Sequence, residues 1–189
     1  ENLLIRSVGT QGEASAAVIR QAAVIYREHH DAHCLDHAKL YPHVRQTLEH
    51  FRPKKKAVIS NKPEYFSKKI LSALGAAEFF DVILGGDSLE ERKPDPAPVR
   101  HILKLLHVEN GRTVIVGDGR QDIACGKAAG IHTCGVTYGF RSREEISDAD
   151  FVIGAEHPAD KGEAQARRAG GQGGAFEKLT TGQGGNCKL

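Results

Sequence analysis

Long apolar runs are missing from this 189-residue sequence. No stretch is long enough to span a bilayer as a helix or to serve as a secretory signal, so no membrane partner is expected. The four cysteines, Cys34, Cys125, Cys134 and Cys187, form no C-x-x-C pair, and a reducing cytoplasm is the expected compartment. Charge of one sign is also lacking. The 26 basic residues and 24 acidic residues are interspersed and leave a formal net charge of +2, so no basic face is predicted to draw nucleic acid or an anionic membrane. A small-molecule partner is expected instead. One further absence matters more than these: no apolar run in the chain ends in Asp-x-Asp.

What is present is a globular mix, with 40% apolar and 26% charged residues, enough for one domain and an accessory piece. The sequence opens on Glu1 rather than methionine and reads as starting part-way through a protein. Ala17, Val18, Ala22, Ile25 and Tyr26 stand near helical spacing and predict a helix over 14–30. Pro42 is placed to open a second helix through Phe51, with Val44, Leu48 and Phe51 on one side. From Lys56 the pattern changes to short β-branched runs at 57–59, 80–84, 113–116 and 133–136, separated by helical stretches at 63–74, 96–107 and 121–129. That alternation predicts an α/β fold, a parallel sheet with helices on both faces. Ligands of such sheets bind beyond the carboxyl ends of the strands. Residues 157–189 combine seven glycines in their last twenty positions, 170–189, with few apolar groups and are expected to be a disordered tail.

Three strand ends carry matching chemistry. Ser60-Asn61-Lys62 follows Ala57-Val58-Ile59 and offers a hydroxyl and backbone N–H groups to a phosphate oxygen, although a serine there also serves as a plain helix cap. Lys93 stands in Arg92-Lys93-Pro94-Asp95-Pro96, a stiff loop before a helix, where an ammonium neutralises phosphoryl charge or is merely solvated. Gly117-Asp118-Gly119-Arg120-Gln121-Asp122 follows the run 113–116. Its two carboxylates suit Mg²⁺, with Asp118 as direct ligand and Asp122 acting through water or orienting Asp118, whereas the bland alternative makes Asp122 a helix cap.

In their order and context these three elements resemble the second, third and fourth motifs of the haloacid dehalogenase (HAD) superfamily. The phrases Gly85-Gly86-Asp87-Ser88-Leu89, Lys93-Pro94-Asp95-Pro96-Ala97-Pro98 and Gly135-Val136-Thr137-Tyr138-Gly139 look like its phosphoglycolate phosphatase branch. The resemblance covers about residues 38–153, including Leu40-Tyr41-Pro42-His43-Val44 where a helical cap would return to the core. It implies a Rossmann-like core over 41–156 and a partial helical cap and linker over 1–40. It also implies Mg²⁺-dependent hydrolysis of a small phosphomonoester such as 2-phosphoglycolate through an aspartyl-phosphate. By the same resemblance Ser60 and Asn61 bind phosphate, Lys93 stabilises its charge, and Asp118 with Asp122 holds the metal.

The family's first motif, a strand ending in Asp-x-Asp that supplies the nucleophile and forms the sheet's centre, has no counterpart. Asp148-Ala149-Asp150 precedes Phe151-Val152-Ile153 instead of following a strand and reads as the polar lead into it. Asp31 and Asp36 fall in the helical lead-in. The expectation is therefore an inactive fragment of a phosphatase; the alternative is a non-catalytic phosphate-binding or interaction module. Two central strand edges should be left without a partner unless they pair directly or residues 3–8 substitute. His29, His30, His33, Cys34 and His37 have the spacing of transition-metal ligands, but a partly exposed helix end is the preferred reading.

Overall fold

The computed structural model describes residues 16–154 and 177–180. Its sheet begins where Lys56 ends a turn. The buried Lys56 ammonium donates to the carbonyls of Phe51 (2.7 Å), Arg52 (3.3 Å) and Lys54 (2.7 Å), matching its three protons to three acceptors. The chain then runs into β1 (Ala57–Ile59), whose three residues are all buried. Strands β2 (Val82–Leu84), β3 (Thr113–Gly117), β4 (His132–Val136), β5 (Phe151–Ile153) and β6 (Glu177–Thr180) complete a six-stranded sheet in the order β2-β1-β6-β3-β4-β5. Every pairing in it is parallel.

Helices α1 (Ala16–His33), α2 (Val44–His50), α3 (Glu64–Ala73), α4 (Ala97–Leu106) and α5 (Arg120–Ala129) supply the layers. The period-2 alternation of the strands sorts the core. Ala57, Ile59 and Ile115 point to one face and pack with Val99, Ile102 and Leu103 of α4 and Cys125 and Ala129 of α5. Val58 points to the other, against Leu48 of α2 and Leu71 of α3. Cys34, just past the end of α1, packs on Phe66 and Ile70 of α3, and Lys69 Nζ binds Asp31 Oδ1 at 2.7 Å. Among the described residues no helix is long and apolar enough to cross a membrane. Pro42 does not open α2; the helix starts at Val44 after His43, which takes a left-handed φ of 65°.

Helix α5 lies so close to the sheet that only glycine fits at 126. A Cβ there would overlap Ile115 Cγ2 and stand 2.7 Å from Thr133 Cγ2. Gly126→Val should lower stability by about 1–3 kcal/mol through overpacking. A denaturant titration checks this, and an unchanged midpoint would show that α5 can move off the sheet at no cost.

The place between β1 and β3 is filled by β6. Leu179 pairs with Ala57 on one side and Ile115 on the other, and Thr180 pairs with Val58 and Val116. The expectation of a structureless tail fails at 177–180, and the two central edges are neither bare nor paired with each other. The reason is main-chain hydrogen bonding: the facing edges of two buried strands present N–H and C=O groups that any extended segment can satisfy. The remainder of 157–189, and residues 3–8, lie outside the described residues.

Candidate functional site

The chain passes from β1 outward to β2, returns across the sheet to β3, and then proceeds the other way to β4 and β5. This reversal opens a crevice at the carboxyl ends of β1 and β3, the position where such sheets bind ligands. The residues singled out from the sequence converge there. Lys93 is 1% exposed and Asp122 2%. Lys93 Nζ stands 2.7 Å from Asp122 Oδ1 and donates to the Ile59 carbonyl at 2.6 Å, one residue before Ser60. The Lys93–Pro94 peptide is cis. Burial pulls the Lys93 ammonium below the ordinary lysine value, with the charges of Asp122 and Asp118 opposing that pull.

Asp122 is both cap and ion-pair partner. Its Oδ2 accepts the Gly119 N–H at 3.2 Å while its backbone N–H donates to the Gly119 carbonyl at 3.0 Å, and its Oδ1 is held by Lys93. Both oxygens are thus engaged within the protein, which fits an orienting group better than a direct metal ligand. Asp118 is half-buried, with Oδ2 accepting the Phe140 N–H at 2.8 Å. Gly139 is required beside it, because a Cβ there would overlap the Asp118 carboxylate. Asp118 and Asp122 line an open cavity of about 400 Å³ together with Gln121, Arg141 and Glu145.

Ser60 Oγ accepts the Lys62 N–H at 3.0 Å, forming a tight turn at the end of β1. The Asn61 side chain is a tie rather than a loose donor: its Nδ2 reaches the Lys93 carbonyl at 2.9 Å and Gln121 Oε1 at 2.8 Å. It links all three strand-end loops. The loop after β4 adds groups beside the site that the sequence motifs do not single out as site residues. It brings Tyr138 edge-on to Tyr41 at 5.3 Å between centroids, and both burial and the Asp118 charge push the Tyr41 hydroxyl upward in pKa. The rule that ligands bind at strand carboxyl ends would have found it, since 137–141 follows β4.

The other candidates do not join the site. His30 stacks on Tyr26 and meets Phe66 edge-on, and burial lowers its pKa. His33 Nδ1 is 2.8 Å from Asp36 Oδ2. Among the described residues no three His, Cys, Asp or Glu side chains converge as a metal cage. Asp150 Oδ2 accepts the Thr133 N–H and hydroxyl at 2.7 and 2.8 Å, a structural role pinning β4. Cys125 donates to the Asp95 carbonyl at 3.0 Å and burial pushes its thiol up to about 11, away from the thiolate form that nucleophilic attack needs.

The sequence and fold both have relatives. A family model described as haloacid dehalogenase-like hydrolase matches residues 3–136. A phosphoglycolate phosphatase of Neisseria meningitidis is 35% identical over 150 residues, which is 76% of this chain and 64% of that protein. One from Aquifex aeolicus is 42% identical over 118 residues, 61% of this chain and 55% of its own length. The chain thus spans just under two thirds of the length of the Neisseria relatives. The crystal structure of a predicted phosphoglycolate phosphatase from Haemophilus somnus superposes with a TM-score of 0.71 and 28% identity, covering 80% of this chain and 68% of that one.

Proposed function

Because this chain belongs to the haloacid dehalogenase-like hydrolases, in their phosphoglycolate phosphatase-like branch, we propose that its crevice binds a small phosphomonoester such as 2-phosphoglycolate beside Mg²⁺. The observation that carries this is the buried Lys93–Asp122 pair at 2.7 Å, set between the Ser60 turn and Asp118. A buried ammonium held by two acceptors has one proton left for a third, and a phosphoryl oxygen is a suitable partner in a site of low dielectric. The donor set fits magnesium: Asp118 supplies a hard oxygen, the adjoining cavity leaves room for several waters, and Mg²⁺ needs no more than one or two carboxylates. It does not fit a structural zinc site, whose four ligands are cysteine and histidine side chains. Bound there, Mg²⁺ would neutralise charge on the phosphoryl oxygens. Asp122 would hold Lys93 and the start of α5 in register with Asp118.

Hydrolysis by way of an aspartyl-phosphate needs a carboxylate nucleophile as well. The central strand β6 offers none past its own first residue, because no Asp or Glu follows Glu177 in the sequence. We therefore read the chain as able to bind but not to turn over. That observation favours the second reading too, a phosphate-binding module without catalysis. The two readings share one site.

Calorimetric titration of the chain with 2-phosphoglycolate, with and without Mg²⁺, tests the proposal alongside an assay of phosphate release. Binding should require Mg²⁺, and Asp118→Ala should weaken Mg²⁺-dependent binding by about 100-fold. Phosphate release should stay at background. Release abolished by Asp118→Ala would instead mean that a carboxylate elsewhere in the chain serves as nucleophile, and absence of any phosphate binding would sink the reading of the site.

A further inference from the structure

The cavity beside Asp118 is also lined by a side chain that none of the chemistry above uses. Arg141 follows Phe140, whose backbone N–H is bonded to Asp118 Oδ2 at 2.8 Å, so the base of Arg141 is pinned to the proposed metal ligand one residue away. Its aliphatic stem lies over Gly119, with Cγ 3.7 Å from where a Cβ would stand. Its guanidinium has a loose partner, Glu145 Oε1 at 3.8 Å from Nη1, beyond hydrogen-bonding distance. Arg141 and Glu145 both line the cavity with Asp118 and Asp122, and about half of the Arg141 side chain is open to solvent. Lys93 already neutralises Asp122.

We infer that Arg141 is a specificity-determining residue that binds a second anionic group of the ligand, a carboxylate carried on the tail of the phosphomonoester, with Glu145 as its resting partner. A planar guanidinium presents paired N–H donors that match the two oxygens of a carboxylate. Its weak pairing to Glu145 leaves little to give up on exchange, since exposed ion pairs contribute little. Arg120 also lines this cavity from the first residue of α5 and serves as the control for Arg141. This assignment rests on the phosphate site proposed above and adds the side chain that holds the carboxylate of a ligand such as 2-phosphoglycolate.

Titrating the whole chain in Mg²⁺ with inorganic phosphate, ethyl phosphate and 2-phosphoglycolate tests it. The last two share a phosphate ester and differ in the carboxylate. The chain should bind 2-phosphoglycolate about tenfold more tightly than ethyl phosphate. Arg141→Gln should close that gap to within about twofold while leaving ethyl phosphate affinity unchanged, and Arg141→Lys should restore only part of it because an ammonium lacks the fork. Equal affinity for the two esters in the unaltered chain overturns the inference, as does a gap that survives Arg141→Gln or is closed by Arg120→Gln instead. Both results leave the phosphate site standing. If neither inorganic phosphate nor either ester binds, the phosphate site itself is wrong and the assignment of Arg141 falls with it.

Discussion

Lys93→Met should lower the unfolding free energy by about 3–5 kcal/mol and abolish phosphate binding, because it leaves the Asp122 carboxylate buried without its counter-charge. Asp122 is 2% exposed, so water cannot take the place of the lost ammonium. Adding Asp122→Asn to Lys93→Met removes the stranded charge while keeping an oxygen to accept the Gly119 N–H. The double variant should recover most of the stability and none of the binding. Denaturant unfolding of the four proteins of this cycle, with calorimetry for phosphate, measures both effects. A double variant no more stable than Lys93→Met would show that the loss comes from packing around Lys93 and not from charge.

The pH dependence of the same group has a definite sign. Burial holds the folded-state pKa of Lys93 below its ordinary 10.5. Between the lowered value and 10.5 the unfolded chain binds a proton that the folded chain does not. Stability contributed by this group therefore rises with pH across that window and is least favourable below it. The unaltered chain should show a more positive slope of stability against pH on the alkaline side than Lys93→Met does.

The second large effect concerns β6. Leu179→Pro should destabilise the sheet by on the order of 3 kcal/mol, since proline supplies no N–H and a strand paired on both sides has no place for it. Leu179 stands in register with Ala57 and Ile115, both fully buried. Deleting 177–189 should go further and leave two apolar edges open to pairing between molecules, seen as light scattering at micromolar concentration. If the unfolding midpoint and solution behaviour match those of the unaltered chain in both cases, β6 does not hold the centre of the sheet.

Most of the fold between 57 and 153 was written in local pattern. The β-branched runs at 57–59, 113–116 and 133–136 became β1, β3 and β4, because strands buried on both faces need apolar side chains at every position. The expected helices at 63–74, 96–107 and 121–129 became α3, α4 and α5 with ends shifted by no more than one residue. Lys93, Asp118 and Asp122 were legible as strand-end polar groups for the same reason. The loop 137–141 was harder to see as part of the site, since Tyr138, Phe140 and Arg141 have no periodicity and acquire a role only by lying over Asp118 and Gly119.

What the sequence determined by itself was the identity of the strands and helices between Lys56 and Ile153 and the end of the sheet at which polar groups gather, because both follow from side-chain spacing within a few residues. Tertiary structure alone decided that Lys93 pairs with Asp122, that Asn61 ties three loops together, and that Glu177–Thr180 lies between β1 and β3. These depend on groups brought close from distant parts of the chain. A four-residue strand with charged residues at 177 and 178 has no apolar pattern to announce it, and what seats it is the main-chain edge of its neighbours, which no local pattern encodes.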